Sequence, residues 1–356
     1  MKNELTTDTQ LFSKIAQLIE AARQKVATVV NLTMVYTYFD IGRMIVEDEQ
    51  QGATRAGYGK HILKDLSTRL TEKFGKGFSV ENLDRMRFFY KTYGLSISSK
   101  PMTKLENLIH DTASHKFVLS WSHYLILMRI DNPDERSFYE IESAVQNWST
   151  KQLKRQYHSS LYERLALSRD KIEVLKLATH GQAVQKATDI LKNPLTLDFL
   201  GLEATAAYSE SDLENAIISK IQQFLLELGK GFLFEARQKR FTFDEEHFYV
   251  DLVFYNRLLQ CYVLIDLKTD KLVHQDLGQM QMYVNYYDRN VKMNYEKPTI
   301  GILLCKKKND AIVELTLPED ANIYAAEYSL YLPDKQVLQQ KLIEWLREFD
   351  TDYEHR

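Results

Sequence analysis

From Ser211 the hydrophobic pattern of this 356-residue chain changes, from helices alone to one more helix and then strands, and that change dictates two structural classes in succession. Before it, apolar residues recur at spacings of three and four from Leu11 to Tyr38 and from Ile62 to Phe74, as on one face of a helix. Ser79 is placed to cap a helix through Lys91 that Gly94 closes. Pro133, tolerated at a first helical position, opens another helix after Asn132. Ser149-Thr150-Lys151-Gln152 fits a capping box for a helix through Tyr162, and a further helix from Ile172 to Leu191 stops at Asn193-Pro194. After an irregular stretch from Leu195 to Tyr208, Leu213 to Leu228 forms an amphipathic helix ended by Gly229 and Gly231. Phe232 to Phe243, Phe248 to Tyr255 and Gln260 to Lys268 then read as strands. A helix over about Asp276 to Asp288 follows, then a strand from Thr299 to Lys306 that runs into Lys306-Lys307-Lys308. The order is α-β-β-β-α-β, with a last helix from Val337 to Phe349.

The expected fold is therefore α+β in two domains, which the length also favours. Residues 1–175 form a mostly helical domain, 176–208 a helical connector, 209–335 the αβ core and 336–356 a closing helix. No run of about 18 apolar residues is present, so no membrane span is expected. The N-terminus Met1-Lys2-Asn3-Glu4 lacks the build of a secretory signal, and Cys261 and Cys305 sit in apolar runs as reduced core residues. A cytoplasmic protein is expected. The net charge of −3 hides an asymmetry: residues 1–200 hold 28 Lys and Arg against 23 Asp and Glu, residues 201–356 hold 18 against 26. An acidic C-terminal part can meet phosphates if its acids hold a cation and the N-terminal part supplies the attraction.

Two aspartates interrupt the strands. Asp251 lies inside Phe248-Tyr249-Val250-Asp251-Leu252-Val253-Phe254-Tyr255, and Asp266 inside Tyr262-Val263-Leu264-Ile265-Asp266-Leu267-Lys268. Aspartate is depleted in strands, and a buried carboxylate without a partner is costly. A hairpin centred on Leu258-Leu259 sets the two directly opposite each other, with Lys268 on the same face as Asp266. Two like charges so placed need a proton or a cation between them. Two carboxylates and an ammonium suit a Mg²⁺ site, where the ion acidifies water and neutralises a phosphoryl oxygen. The bland alternative, a structural ion pair of Lys268 with one aspartate, is equally compatible with the spacing.

At these residues the chain resembles the PD-(D/E)XK nuclease superfamily, whose core has the same element order. More closely it resembles the YhcG-like family, in which a helical, winged-helix-like DNA-binding domain precedes the nuclease domain. The resemblance rests on Glu227-Leu228-Gly229-Lys230-Gly231-Phe232, Tyr249-Val250-Asp251-Leu252-Val253-Phe254-Tyr255, Ile265-Asp266-Leu267-Lys268 and Leu277-Gly278-Gln279-Met280-Gln281-Met282-Tyr283. In the N-terminal part it rests on Asp40-Ile41-Gly42-Arg43, Gly75-Lys76-Gly77-Phe78-Ser79 and Leu119-Ser120-Trp121-Ser122-His123-Tyr124. It implies Asp251, Asp266 and Lys268 as the catalytic triad, although Val250 stands where the superfamily has proline. It also implies a metal cofactor, Mg²⁺ with Mn²⁺ able to substitute. Glu214 matches a helix acid that joins the metal shell in many members, but Ser211-Asp212-Leu213-Glu214 is also a capping box, and the two stay open. Gln279 and Tyr283 resemble a Gln-x-x-x-Tyr element that touches the phosphate or braces the lysine, and a packed Tyr with a surface Gln is the alternative. Gln238 is a weaker candidate of that kind.

The stretch Arg85-Met86-Arg87-Phe88-Phe89-Tyr90-Lys91 mixes cations with aromatics on one helix, next to Lys64, Arg69, Lys73 and Lys76. Arg85, Arg87, Lys91, Lys73 and Lys76 are candidates for gripping nucleic-acid phosphates. A solvated charged face over a core of Met86, Phe89 and Tyr90 is the alternative. His61, His110 and His123 lack metal-ligand spacing, Trp121 and Trp148 are core candidates, and no nucleotide-binding glycine loop occurs. The expected function is Mg²⁺-dependent hydrolysis of nucleic acid, DNA favoured, and a homodimer is compatible with cutting both strands. A non-cleaving nucleic-acid-binding protein on a nuclease scaffold is the rival. A metal-independent RNA endonuclease would need a His-Lys-Tyr centre that the sequence does not supply.

Overall fold

The computed structural model describes residues 29–50, 58–94, 117–167, 171–192, 194–203, 208–243, 245–308, 310–318, 320–332 and 334–354. Residues 11–28 of the first expected helix and His110 lie outside them, as does the side chain of His61. The chain forms two compact units, one of residues 1–136 with 143–150, the other of residues 137–142 with 151–356.

The first unit is built from α1 (29–50), α2 (Tyr58–Phe74), α3 (Val80–Tyr93), α4 (Trp121–Leu127) and part of α5 (Pro133–Val145). No strand occurs among its described residues. Ser79 caps α3 by accepting from the Asn82 amide, and Asn132 caps α5 by accepting from the Asp134 and Glu135 amides, because both starts leave amides without helical partners. Phe39, Phe89, Phe117 and Tyr124 pack their rings into one core, and Leu83 and Met86 are fully buried below them. At Gly42 α1 crosses α3 so closely that a Cβ would collide with the Met86 carbonyl, which explains a glycine inside a helix that otherwise disfavours it.

The second unit continues with α6 (Thr150–His158), α7 (Leu161–Ala166), α8 (Lys171–His180), β1 (Leu195–Thr196), α9 (Glu210–Ser219) and α10 (Ile221–Leu228). Next come β2 (Phe232–Phe243), β3 (Glu246–Asn256), β4 (Cys261–Lys271), α11 (His274–Asn290) and β5 (Ile300–Lys307). It closes with α12 (Asp310–Thr316), β6 (Ile323–Ser329) and α13 (Lys335–Glu354). Four expectations change. The helix expected through Tyr162 breaks at Ser160, which takes a left-handed φ of 54°. The helix expected through Leu191 stops at His180 because Gly181 adopts φ 68°, a conformation open to glycine. The helix expected from Leu213 to Leu228 starts earlier, at Glu210, and is interrupted at Lys220. The stretches around β1 and β6 join the sheet, so α-β-β-β-α-β is extended to six strands.

The strand order is β1-β6-β5-β4-β3-β2, with β2, β3 and β4 antiparallel and β4, β5, β6 and β1 parallel. The sheet is sandwiched. Leu213, Ile217, Phe224 and Leu228 of α9 and α10 pack on Leu252, Phe254, Ile265 and Ile302 of one face. Leu277, Met280, Tyr283 and Tyr287 of α11 pack on Val253, Leu264, Leu303 and Cys305 of the other. Gly301 lets α11 approach β5, since a Cβ there would lie 2.7 Å from the Met280 Cγ and Sδ.

Behind the first face lies a buried polar knot. Arg164, with no exposed surface, grips Glu227 through both guanidinium ends, at 2.5 and 3.2 Å. Glu227 also accepts from the Thr196 amide, tying α10 to β1. Lys192 donates to the Glu227 carbonyl, and burial pushes its amine down to about 8. A bidentate charged pair so enclosed is costly to halve. Glu227→Ala is expected to lower unfolding free energy in chemical denaturation by about 3–5 kcal/mol, because it strands Arg164.

Candidate active site

The site forms where β3 and β4 leave their ladder. Their pairing runs from Asn256↔Cys261 to Leu252↔Ile265, so the next position in register sets Asp251 against Asp266, as the hairpin centred on Leu258-Leu259 requires. On its other edge β3 pairs Leu252 with Arg237 and Val250 with Lys239. Between them Gln238 takes φ 44°, a left-handed conformation that costs a glutamine of order 1–3 kcal/mol.

That bend aims the Gln238 side chain into the site. Its Nε2 donates to Glu214 Oε2 at 2.6 Å and to Asp251 Oδ1 at 2.9 Å. The other Asp251 oxygen accepts from the Leu267 amide at 2.8 Å. Arg237 Nε stands 2.9 Å from Glu214 Oε1, but off the hydrogen-bonding line, and this buried oxygen has no hydrogen bond. Lys268 Nζ lies 2.9 Å from Asp266 Oδ2, 3.6 Å from Glu210 Oε1 and 3.9 Å from Asp276 Oδ1. Asp266 Oδ2 likewise is buried without an aligned hydrogen bond. Burial, and then the charge of Asp251, push the Asp266 carboxyl up to about 7. Burial raises the carboxyl of Glu210 too. Burial opposes the Lys268 charge, yet Asp266, Glu210 and Asp276 hold its proton above the usual lysine range.

Glu214 is not a helix cap. The capping box of α9 is Ser209 with Asp212, one donor–acceptor exchange earlier than Ser211 with Glu214, so the Glu214 carboxylate points into the site and is 3% exposed. Gln279 donates to the Tyr283 hydroxyl at 2.7 Å on α11, and burial, then Asp266 and Asp251, push the Tyr283 hydroxyl up to about 12. Glu210, Arg237 and Asp276 were not picked out from the sequence, where nothing separates them from surface charges.

Among the described residues, no group of three or more His, Cys, Asp and Glu side chains is drawn together as a ready ion cage. The residues nonetheless suit a hard cation. Two buried carboxylate oxygens, Glu214 Oε1 and Asp266 Oδ2, are met only by the cations of Arg237 and Lys268, off the hydrogen-bonding line, and a neighbouring aspartate raises the cost of ionising Asp266. An open cavity of about 390 Å³ lies elsewhere, lined by Cys261, Lys297 and Ile300 at the opposite ends of β4 and β5.

The N-terminal cations divide into two sets. Arg87 pairs with Glu49 at 2.6 Å and Asp84 at 2.5 Å, and Lys91 lies 3.7 Å from Glu49. Arg85, Lys73 and Lys76 are exposed. Met86 and Phe89 are core, Tyr90 is half-buried, Trp148 is buried and Trp121 half-buried, while His123 bonds Ser120 and the Trp148 carbonyl. No described helix is long and apolar enough to cross a membrane.

Gln238 is the test of this geometry. In metal-free buffer Gln238→Ala is expected to lose about 2 kcal/mol, the worth of hydrogen bonds to charged groups less the relieved backbone strain. Gln238→Glu is expected to lose more, since a third carboxylate joins Glu214 and Asp251. Urea unfolding in EDTA at pH 8 reads both, and a Gln238→Glu protein as stable as the parent would refute the bridging role.

Comparison with known proteins bears on the whole chain. Residues 188–343 match the family model described as the YhcG PDDEXK nuclease domain, and residues 14–164 match the DUF1016 N-terminal domain. The chain is 36% identical over 364 residues to the nuclease-named protein YhcG of Escherichia coli (strain K12), covering 98% of this chain and 96% of that one. Among solved structures, it overlaps a repair endonuclease from Pyrococcus abyssi (19% identity, TM-score 0.24) and an EndoMS–dsDNA2 complex (15%, TM-score 0.26). Each overlap covers 37% of this chain, which spans about half the length of either structure. The chain belongs to the YhcG family, with a DUF1016 N-terminal domain followed by a PDDEXK nuclease domain.

Proposed function

We propose that the protein hydrolyses phosphodiester bonds of DNA in a reaction that needs Mg²⁺, with Mn²⁺ able to substitute. The observation that carries this reading is the gathering of Glu214, Asp251 and Asp266 around one point, with one buried oxygen each of Glu214 and Asp266 facing only the cations of Arg237 and Lys268. Asp251, Asp266 and Glu214 are the donor set for the ion, which when bound supplies a water of lowered pKa and charge neutralisation at a phosphoryl oxygen. Lys268 sets its ammonium against the extra negative charge that the attacked phosphorus gathers as water adds and the P–O bond breaks. Glu210 and Asp276 fix where that ammonium sits. Gln279 and Tyr283 present a paired amide and hydroxyl to the same region, for the phosphate or the lysine. The N-terminal domain is the grip, winged-helix-like in role, through Lys73, Lys76 and Arg85. Arg87 and Lys91 are less available for it, being turned toward Glu49. Two free, buried cysteines fit a reducing cytoplasm, and a homodimer would set two centres on a duplex.

One observation favours a second reading. Lys268 already sits against Asp266 as an ion pair, the arrangement of a scaffold that binds nucleic acid without cutting it. Calorimetry with Mn²⁺ separates the two: no heat of binding alongside intact DNA affinity supports the scaffold.

Asp251→Ala, Asp266→Ala and Lys268→Ala are each expected to lower cleavage by about 100-fold or more, with circular dichroism unchanged. Labelled branched, duplex and single-stranded DNA, with RNA counterparts, incubated with Mg²⁺, Mn²⁺ or EDTA, provide the measurement. Cleavage that survives all three substitutions, or that proceeds equally in EDTA, would sink the assignment.

A further inference from the structure

The cationic run Lys306-Lys307-Lys308 takes no part in the site just described. The structure pulls its three members apart. Lys306 lies over the Tyr208 ring at 5.9 Å, and the backbone amide of Lys308 is bonded to Glu327 at 3.0 Å. Lys307 is exposed at the end of β5, where its register partner on β4 is Lys271, also exposed. Neither Lys271 nor Lys307 has an ion pair among the described residues.

Two lysines directly opposite on neighbouring strands repel each other. The register makes this pairing an acquired one. Lys268 pairs with Cys305, so an unbroken parallel ladder would next bring Asp270 opposite Lys307, an attractive pair. Instead β4 carries an irregularity between Lys268 and Lys271, which inserts one residue and replaces Asp270 by Lys271. The Leu272 amide then bonds the Lys307 carbonyl at 3.2 Å and pins the shifted register. A favourable pair has been exchanged for a repulsive one, next to the site.

Alternation along β5 puts Lys307 on the sheet face of Leu303 and Cys305, the register partners of Asp266 and Lys268. It lies about 7 Å along the strand beyond Cys305. That is the scale of the step between neighbouring phosphates on one nucleic-acid strand.

We propose that Lys271 and Lys307, brought together by the β4 bulge, form a binding site for a backbone phosphate of the nucleic acid, one or two nucleotides from the bond to be cut. The phosphate relieves the repulsion, and the acidic centre gains a positive neighbour where the strand leaves it. The inference rests on the nuclease reading for the identity of its ligand.

The test uses the full chain in EDTA, so that nothing is cleaved, with a dye-labelled 30-base-pair DNA duplex followed by anisotropy from about 50 to 300 mM KCl. For Lys271→Ala/Lys307→Ala the plot of log K against log salt is expected to flatten by about 0.9, one phosphate contact, with affinity at the lowest salt down roughly tenfold. Lys271→Arg/Lys307→Arg is expected to keep the parental slope. Lys297→Ala, an exposed lysine at the other end of β5, is the control for net charge and is expected to leave it unchanged. Thermal unfolding of the double Ala variant is expected to match or exceed the parent, since repulsion has been removed. An unchanged slope, an equal change in Lys297→Ala, or a loss of thermal stability overturns the proposal. Because binding alone is read, a failure of this proposal appears as an unchanged slope in the double Ala variant, whereas a failure of the nuclease reading appears only in the separate cleavage assay with Mg²⁺.

Discussion

The second unit is organised around negative charge that water does not reach. Glu214 and Asp266 are nearly fully buried, Asp251 lies between them, and Glu210 and Asp276 close the periphery. Neighbouring carboxylates repel, and Glu214 and Asp266 also lose solvation on burial, so the fold has to bring donors to them. One of those donors comes with a deformation. Gln238 reaches two carboxylates only through a left-handed backbone in the middle of a strand. The Leu267 amide turns to Asp251 just past the last ladder pair of β3 and β4. Irregular backbone at and beside the carboxylates, at Gln238 and between Lys268 and Lys271, is the physical signature of the site.

Rigidity elsewhere makes those deformations tolerable. The knot of Arg164, Glu227, Thr196 and Lys192 joins α7, α10 and β1 on the side away from α11. On the opposite side Gly301 lets Met280 and Val284 of α11 settle directly on β5. The first holds α10, which follows the helix that carries Glu214, and the second holds α11, which carries the Gln279–Tyr283 pair. A bidentate ion pair with backbone hydrogen bonds on either side fixes position better than an apolar contact of the same area, which can slide. That gives the Glu227-Leu228-Gly229-Lys230-Gly231-Phe232 stretch a structural role: Glu227 anchors, Gly229 turns the chain beside Lys192, and Lys230 reaches Glu142 at 2.7 Å.

What the sequence disclosed was decided by whether a signal was local. The strands β2 to β5 follow from alternation and apolar runs, and the opposition of Asp251 and Asp266 from a hairpin whose centre two leucines mark. Ser209 and Ser211 each have an acid three residues on, Asp212 and Glu214, so two capping boxes compete in the text and only packing selects the first. The break at Lys220 has no glycine or proline beside it. β6 is a short segment, Ile-Tyr-Ala-Ala-Glu-Tyr-Ser, that becomes a strand because β5 and β1 flank it in parallel, pairings between residues far apart in the chain. Gln238 was a weak candidate in the sequence, and its bridging role depends on a dihedral angle that no residue pattern encodes, while Glu210, Arg237 and Asp276 carried no signal at all.

The same logic separates the two clusters of basic residues. In the first unit Arg87 has two carboxylates within 2.6 Å, so its charge stabilises helix packing before any ligand arrives. At the ends of β4 and β5 the arrangement is reversed: a nearby acid, Asp270, is displaced by a bulge, and like charges are left facing one another. Surface cations that a fold neutralises are ordinary solubility and packing features. Cations that a fold has gone out of its way to leave uncompensated, beside an acidic centre that on its own would repel a polyanion, are where an incoming phosphate gains most. Charge that is placed at a cost to the isolated molecule points to a complex in which the cost is repaid.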